Sequence, residues 1–289
     1  MSDFKGDNKW GIILGGSSGM GLASAKKLAQ HGLNLIIIHK DRKTQTEAAE
    51  KMFEELRSLG VQLLSFNKDG VDASSIKELV EGIDAHLKQK EGQVHLVLHS
   101  IARGNLKPLF KNIEDIESTI EHDEISKFFE LKNSGAPTGA LSLTDFDLTL
   151  HSMALSLHTW VKELLDRDLF STNSRIIGLT SEGDKKVWGS YAAVGAAKTV
   201  LESLVKYMAI ELAPKKITAN LIQAGVTETQ SFRMIPGSDF LATFSKERNP
   251  NKRLTTPEDV ANVVYLLSKE EANWINGTTI IADGGENLV

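Results

Sequence analysis

Short apolar runs alternate along this chain with longer amphipathic stretches, and the alternation predicts its elements. GIILGG (11–16), LNLIIIH (33–39), VQLLSF (61–66), VHLVLHS (94–100), RIIGLTS (175–181), ITANLIQAG (217–225) and TTIIADGG (278–285) read as strands. Most are apolar at successive positions, as strands covered on both faces of a sheet must be. Between them, 19–31, 43–59, 73–89, 147–166, 191–213 and 257–269 carry helical spacing. The expected fold is α/β, a Rossmann-type doubly wound parallel sheet of about seven strands. No repeat or linker divides residues 1–289, so a single domain is expected.

One stretch interrupts the rhythm. Some 45 residues separate the fourth strand from the helix expected near Asp147, where such loops usually run about 2–6. The stretch holds the acidic IEDIESTIEHDEISKFFEL (113–131) and then NSGAPTG (133–139). Taken as an insertion over about 105–146, it is a surface elaboration or a flap. The second reading arises because it leaves the C-terminal edge of the sheet, where doubly wound folds bind ligands.

Composition narrows the chemistry. At 41% hydrophobic residues the chain can bury a large core, and a formal charge of −5 argues against a nucleic-acid or polybasic membrane partner. Cysteine is absent, which removes disulfides, thiolate nucleophiles and cysteine-ligated metals. No apolar run approaches the roughly 20 residues of a membrane span, and MSDFKGDNKW lacks a signal peptide's apolar stretch. A soluble cytoplasmic protein is expected. His151 and His158 share a helix face, but no carboxylate completes a ligand set with them or with His99. No metal is assigned.

LGGSSGMG (14–21) supports two incompatible readings. Gly15 to Gly19 fits G-x-S-x-G, the turn that presents a nucleophilic serine. Extended to Gly21, the same residues fit a loop that lays a pyrophosphate on a helix N-terminus. Position decides, because a nucleophile elbow needs an oxyanion-hole loop and preceding strands, whereas Ser17 comes just after the first strand. In the dinucleotide reading Gly15 allows the turn, Gly19 admits phosphate and Gly21 lets helix and strand approach. The remaining loop residues, Ser17, Ser18 and Met20, then border the cofactor. Downstream, SYAAVGAAK sets Tyr191 and Lys198 nearly two helical turns apart on roughly one face. A tyrosine hydroxyl there can hold a substrate oxygen, and a neighbouring ammonium would favour its anion.

Together these residues resemble the short-chain dehydrogenase/reductases from the first strand to the end of the chain. Gly15, Gly19, Gly21, Asp69, the Tyr191–Lys198 pair, AGVTET (224–229) and RLTTPEDVANVVYLL…INGTTIIADGG carry the likeness. Departures narrow it. The fourth strand ends His99-Ser100-Ile101-Ala102, the family's helix-four asparagine falls on Met153, and Ser181 precedes Tyr191 by only ten residues. HSIA, that short spacing and YAAVGAAKTVLESLVKYMAIELAP resemble the bacterial enoyl-[acyl-carrier-protein] reductases, although Ser181 stands where many of these carry a second tyrosine.

The resemblance implies an oxidoreductase of fatty-acid synthesis that reduces the trans-2 double bond of an enoyl thioester on acyl carrier protein or CoA. A carbonyl reductase and a nonenzymatic dinucleotide sensor are the alternatives. Tyr191, Lys198 and Ser181 would be catalytic. Asp69 and Gly70 would meet the adenine, and Ser100, Ile101 and Ala102 the cofactor's flank. Thr180, Ala224, Gly225, Thr227 and Thr229 would close the nicotinamide side. Lys40 stands at the position of the ribose-binding acid, with Arg42 beyond it, so NADPH is expected, NADH being possible. Gly104, Phe232 and Met234 would border substrate, beneath a lid over about 230–252. A homotetramer is implied, paired through the apolar helices at 147–166 and 191–213.

Overall fold

The computed structural model describes residues 3–6, 8–110, 139–235 and 237–289. Seven strands form one sheet in the order β3-β2-β1-β4-β5-β6-β7, every neighbouring pair parallel. They are β1 (Lys9–Leu14), β2 (Asn34–His39), β3 (Leu63–Asn67), β4 (Gln93–His99), β5 (Phe170–Ser181), β6 (Thr218–Ala224) and β7 (Thr279–Ala282). Helices α1 (Gly19–Gln30), α2 (Lys43–Arg57) and α3 (Ala73–Lys90) connect the first four strands. Then follow α4 (Leu143–Leu150), α5 (Ser156–Asp166), α6 (Ala192–Glu211), α7 (Ser238–Arg248) and α8 (Pro257–Ser268). The doubly wound parallel sheet read from the sequence is the fold observed.

The inner strands are mostly apolar because both faces of the sheet are covered there. Ile12 and Ile36 join a core with Ile76, Leu157 and Leu201 of α3, α5 and α6. Their neighbours Ile13 and Ile37 join a second core with Leu28, Phe53 and Val264 of α1, α2 and α8. Each such side chain, fully buried, contributes roughly 1.5–3 kcal/mol. Alternation is lost on the page because both alternating sets are inside. Among the described residues no helix is long and apolar enough to cross a membrane.

Three boundaries differ from the sequence pattern. Strand β5 starts at Phe170 rather than Arg175, because its polar opening is internally satisfied: the buried Ser174 hydroxyl donates to Val94 and Ser171 carbonyls at 2.9 and 2.5 Å. The helix expected from 147 starts at Leu143, where Ser142 and Asp145 form a reciprocal cap. Lys107 and Asn105 also grip Asp145, at 2.9 and 2.6 Å, and so fasten the start of the long β4–α4 connection. Between α4 and α5 the rod widens into a π-helical turn, His151–Leu155, a common feature of functional sites that periodicity does not reveal. The acidic segment at 113–131 and most of NSGAPTG lie outside the described residues.

Candidate active site

Strand order reverses between β1 and β4, and a cleft opens at the carboxyl ends of those two strands. This is the switch point where doubly wound sheets bind ligands. Two cavities meet there, sharing Met20, Ala102, Thr229 and Ser231. The first is mostly apolar and contains Tyr191 and Ser181; the second runs over the glycine loop toward β2 and β3.

The second cavity has the shape of a dinucleotide cradle. Ser18 caps α1 in an extended conformation without using its side chain, so the helix N-terminus faces the cavity. A Cβ on Gly21 would lie 2.1 Å from the Gly15 carbonyl oxygen, and one on Gly15 would lie 2.6 Å from that of Ser100. Only glycine lets helix, turn and β4 come this close. Gly15, Ser17, Ser18, Gly19 and Met20 line the cavity, as do Ser100, Ile101 and Ala102. At its far end Asp69 accepts from Lys40 and, at 3.3 Å, from Arg103, with Gly70 beside it. Burial raises the Asp69 pKa, but Lys40, the Val71 N–H and Arg103 outweigh that and hold it below the usual carboxylate range. The Asp41 carboxylate turns inward, accepting from Ser17 Oγ at 3.0 Å and bonding His39 Nδ1 at 2.9 Å.

In the first cavity Tyr191 Oη and Ser181 Oγ stand 3.5 Å apart. Ser181 ends β5, Tyr191 caps α6, and Ser190 before it takes a left-handed φ of 59°. For a non-glycine residue that conformation costs of order 1–2 kcal/mol, a strain often found at functional sites. Burial pushes the Tyr191 phenol up, with Ser181 only partly offsetting it. The sequence-based expectation of a phenol drawn toward its anion is thus reversed here: Lys198 Nζ is buried and donates to the Leu179 carbonyl at 2.7 Å. Thr180 Oγ1 is buried beside them with no hydrogen-bond partner among the described residues, a polar atom open to a ligand.

Burial also lowers the Lys198 pKa to about 8, against a smaller opposing pull from Asp184. Between that value and the ordinary 10.5 the unfolded chain binds the extra proton, so this lysine makes stability rise with pH across the window. Replacing Lys198 with methionine removes the dependence. In cofactor-free protein, the melting temperature of Lys198→Met relative to wild type should therefore fall as pH rises from about 7 to 10. Parallel melting curves at every pH would contradict a buried, depressed ammonium.

The predicted residues divide among four places. Thr180, Ala224, Gly225 and Thr227 line the Tyr191 cavity with Gly104 and Phe232, and Thr229 lies at the junction. Gly21 and Lys198 support the walls from behind. Arg42 caps α2 away from the cradle wall, and Arg103 is the arginine found on it. Met234 is 74% exposed, and Ile235 and Leu241 line the cavity in its segment instead. Met153 sits in the π-helical turn and points into the cavity, its Sδ 3.0 Å from where a Cβ on Gly104 would lie. His99 is buried and neutral, burial lowering its pKa to about 3, and its Nε2 bonds Ser156 Oγ at 2.9 Å.

Sequence reasoning missed Arg103, Gly183 and the carboxylates Glu182 and Glu286, which Arg248 joins. Only the first carried a readable signal, as a basic residue directly after the HSIA strand end.

Comparison with known proteins agrees with this geometry. The family model described as "Enoyl-(Acyl carrier protein) reductase" matches residues 128–287, and "short chain dehydrogenase" matches 9–128. An enoyl-[acyl-carrier-protein] reductase [NADPH] of Staphylococcus aureus is 26% identical over 98% of this chain and 98% of its own length. A probable tetrahydroxynaphthalene reductase of Zymoseptoria tritici is also 26% identical, covering 96% of this chain and 94% of that protein. An enoyl-(acyl-carrier-protein) reductase of Anaplasma phagocytophilum, solved with NAD, shares the fold at a TM-score of 0.74 and 23% identity, over 99% of this chain and 94% of that one. The chain belongs to the short-chain dehydrogenase/reductase superfamily, with an enoyl-(acyl carrier protein) reductase-like domain, and is an oxidoreductase of the kind that uses a nicotinamide dinucleotide.

Proposed function

We propose that the protein reduces the trans-2 double bond of an enoyl thioester, carried on acyl carrier protein or CoA, with NADPH. The observation that carries this reading is Met153. In carbonyl reductases resembling this chain, an asparagine at that place passes protons through water. A buried thioether is neither a strong donor nor a good acceptor, and here it faces the cavity beside Val194 and Leu106.

The bound nicotinamide would supply a hydride to Cβ, and the thioester enolate so formed takes its proton at Cα from the Tyr191 phenol or from water. The chain's own groups hold the thioester. The Tyr191 phenol, kept protonated by burial, donates to the thioester oxygen as negative charge grows there, and Ser181 Oγ adds a second donor. Lys198, with Nζ buried under β5, would take the nicotinamide ribose. Leu106, Trp188, Phe232, Ile235 and Leu241 give the acyl chain an apolar wall that excludes water. Residues 230–252 serve as the lid. The supporting comparisons are the enoyl reductase model over 128–287 and the S. aureus relative.

Lys40 and Arg103 favour NADPH, because both guard the open end of the cradle while Asp41 is engaged by Ser17 and His39. Two charge-assisted bonds at about 1.5–3 kcal/mol each, discounted for exposure, favour a 2′-phosphate by roughly 100-fold. The assay pairs crotonyl-CoA with the matching 3-ketoacyl-CoA and NADPH with NADH. We expect oxidation of NADPH with the enoyl substrate and little with the ketone. The reverse preference makes the protein a carbonyl reductase, and equal use of NADH by wild type and Lys40→Ala/Arg103→Ala removes the cofactor assignment.

On assembly, Tyr207 and Ile210 are 66% and 76% exposed on the outer face of α6, whose opposite face is packed in the core. We infer a homotetramer paired through α5 and α6. A monomeric mass by light scattering at micromolar concentration would exclude it.

A further inference from the structure

Besides Leu241 in the cavity wall, helix α7 reaches the catalytic centre through a charged side chain. Arg248, its last residue, is 11% exposed and donates from Nη2 to Glu182 at 2.7 Å and to Glu286 at 2.9 Å. Glu182 directly follows Ser181 and Glu286 lies in the C-terminal turn, its other oxygen 3.4 Å from the Val226 amide. Arg248 therefore joins three segments that border the Tyr191 cavity. A second contact runs parallel to it: the Phe244 ring of α7 stands edge-on to Trp188, centroids 6.3 Å apart, with the Arg248 guanidinium over Phe244 at 5.8 Å.

The consequence lies one residue beyond Glu182. Gly183 packs against the ring of Tyr191 so closely that a Cβ there would lie 2.4 Å from Cε1. Its carbonyl oxygen in turn lies 2.6 Å from where a Cβ on Gly195 of α6 would be. The backbone at 183 is thus wedged between the tyrosine ring and α6, and the neighbouring carboxylate is held by the buried Arg248 and, at 2.7 Å, by the more exposed Lys186. We propose that Arg248 is a positioning residue for Tyr191: by holding Glu182 it seats Gly183 against the tyrosine ring, so that turnover depends on α7 being docked. This rests on Tyr191 acting in the reaction, not on which bond is reduced. A shift of the phenol by even an ångström would cost up to about 100-fold in rate.

Two measurements test it, one independent of substrate. The chain has three tyrosines, so Cζ-labelled tyrosine gives three NMR signals, that of Tyr191 assigned by its loss in Tyr191→Phe. Arg248→Met should move the Tyr191 signal and leave Tyr207 and Tyr265 in place; the exposed Lys246→Met on the same helix should move none. With whichever substrate the wild type reduces, Arg248→Met should lower kcat about tenfold or more while cofactor Kd changes little, and Arg248→Lys should restore part of the loss. The Gly183→Ala penalty on kcat should shrink in the Arg248→Met background, because the released loop can yield to the added methyl. If Arg248→Met does not fold, Arg248→Lys carries the same cycle and the same spectra. An unmoved Tyr191 signal, or strictly additive effects of the changes at 183 and 248, would overturn the proposal. A ketone preference would overturn only the substrate assignment.

Discussion

Replacing Tyr191 with phenylalanine should lower turnover by roughly 100- to 1000-fold while leaving the fold and cofactor affinity intact. The ring keeps its place, since Gly183 and the π-helical wall around Met153 pack on carbon atoms the variant retains. Only the hydroxyl is lost, and its one hydrogen-bond partner among the described residues is Ser181 Oγ at 3.5 Å, too long to contribute much stability. Its whole value therefore lies in the donor it offers to the substrate oxygen. A neutral phenol is required for that, and burial keeps Tyr191 neutral throughout the physiological range. Ser181→Ala should cost less, about tenfold, because an aliphatic hydroxyl is a weaker hydrogen-bond donor than a phenol. Single-turnover rates, cofactor Kd by calorimetry and a melting curve separate these effects. A Tyr191→Phe enzyme retaining more than about a tenth of wild-type turnover would remove the tyrosine from the chemistry and return the dinucleotide-sensor reading.

The centre of the sheet was legible because its inner strands are buried on both sides, so apolar runs such as LIII in β2 mark it without help from tertiary contacts, whereas the edge strands β3 and β7 are only half-buried. The cradle and the Tyr191–Lys198 pair were legible for a different reason: both are local, set by spacing within one turn or one helix. The misplacements involve contacts distant in sequence. Arg103 reaches Asp69 from a segment 34 residues on, while Arg42, adjacent to the predicted acid position, is carried off by the start of α2. The carboxylates that Arg248 joins come from positions 66 and 38 residues away, which no periodicity reports. The state of Tyr191 was misjudged for a related reason. Spacing shows that Lys198 shares its helix face, but not that Leu179 takes the ammonium.

The change expected to affect binding most is Gly21→Ala, the smallest available at the cradle. Its methyl group would sit 2.1 Å from the Gly15 carbonyl oxygen and 2.9 Å from the carbonyl carbon, distances at which something must move. Gly15 is held in place: its N–H donates to the Ile38 carbonyl at 2.8 Å, and the turn it makes runs so near β4 that a Cβ on it would lie 2.6 Å from the Ser100 carbonyl oxygen. Helix α1 must therefore shift outward, which loosens its packing on the sheet and moves its N-terminal amides off the phosphate position. Overpacking of this kind costs about 1–3 kcal/mol, or roughly 3–10 °C in melting temperature for a domain of this size. The dinucleotide Kd should rise by about 100-fold, the equivalent of some 3 kcal/mol of lost contacts. Gly19→Ala is the control for the thermal melt only, because Gly19 itself lines the cradle. Its methyl would face the Thr229 side chain at 3.4 Å, an ordinary contact, so its penalty is the left-handed φ of 53° alone, about 1–2 kcal/mol. Calorimetric titration of Gly21→Ala with NADPH and a thermal melt of both variants check this. If Gly21→Ala binds and melts like the wild type, the glycine loop is an ordinary strand-to-helix turn and the dinucleotide lies elsewhere.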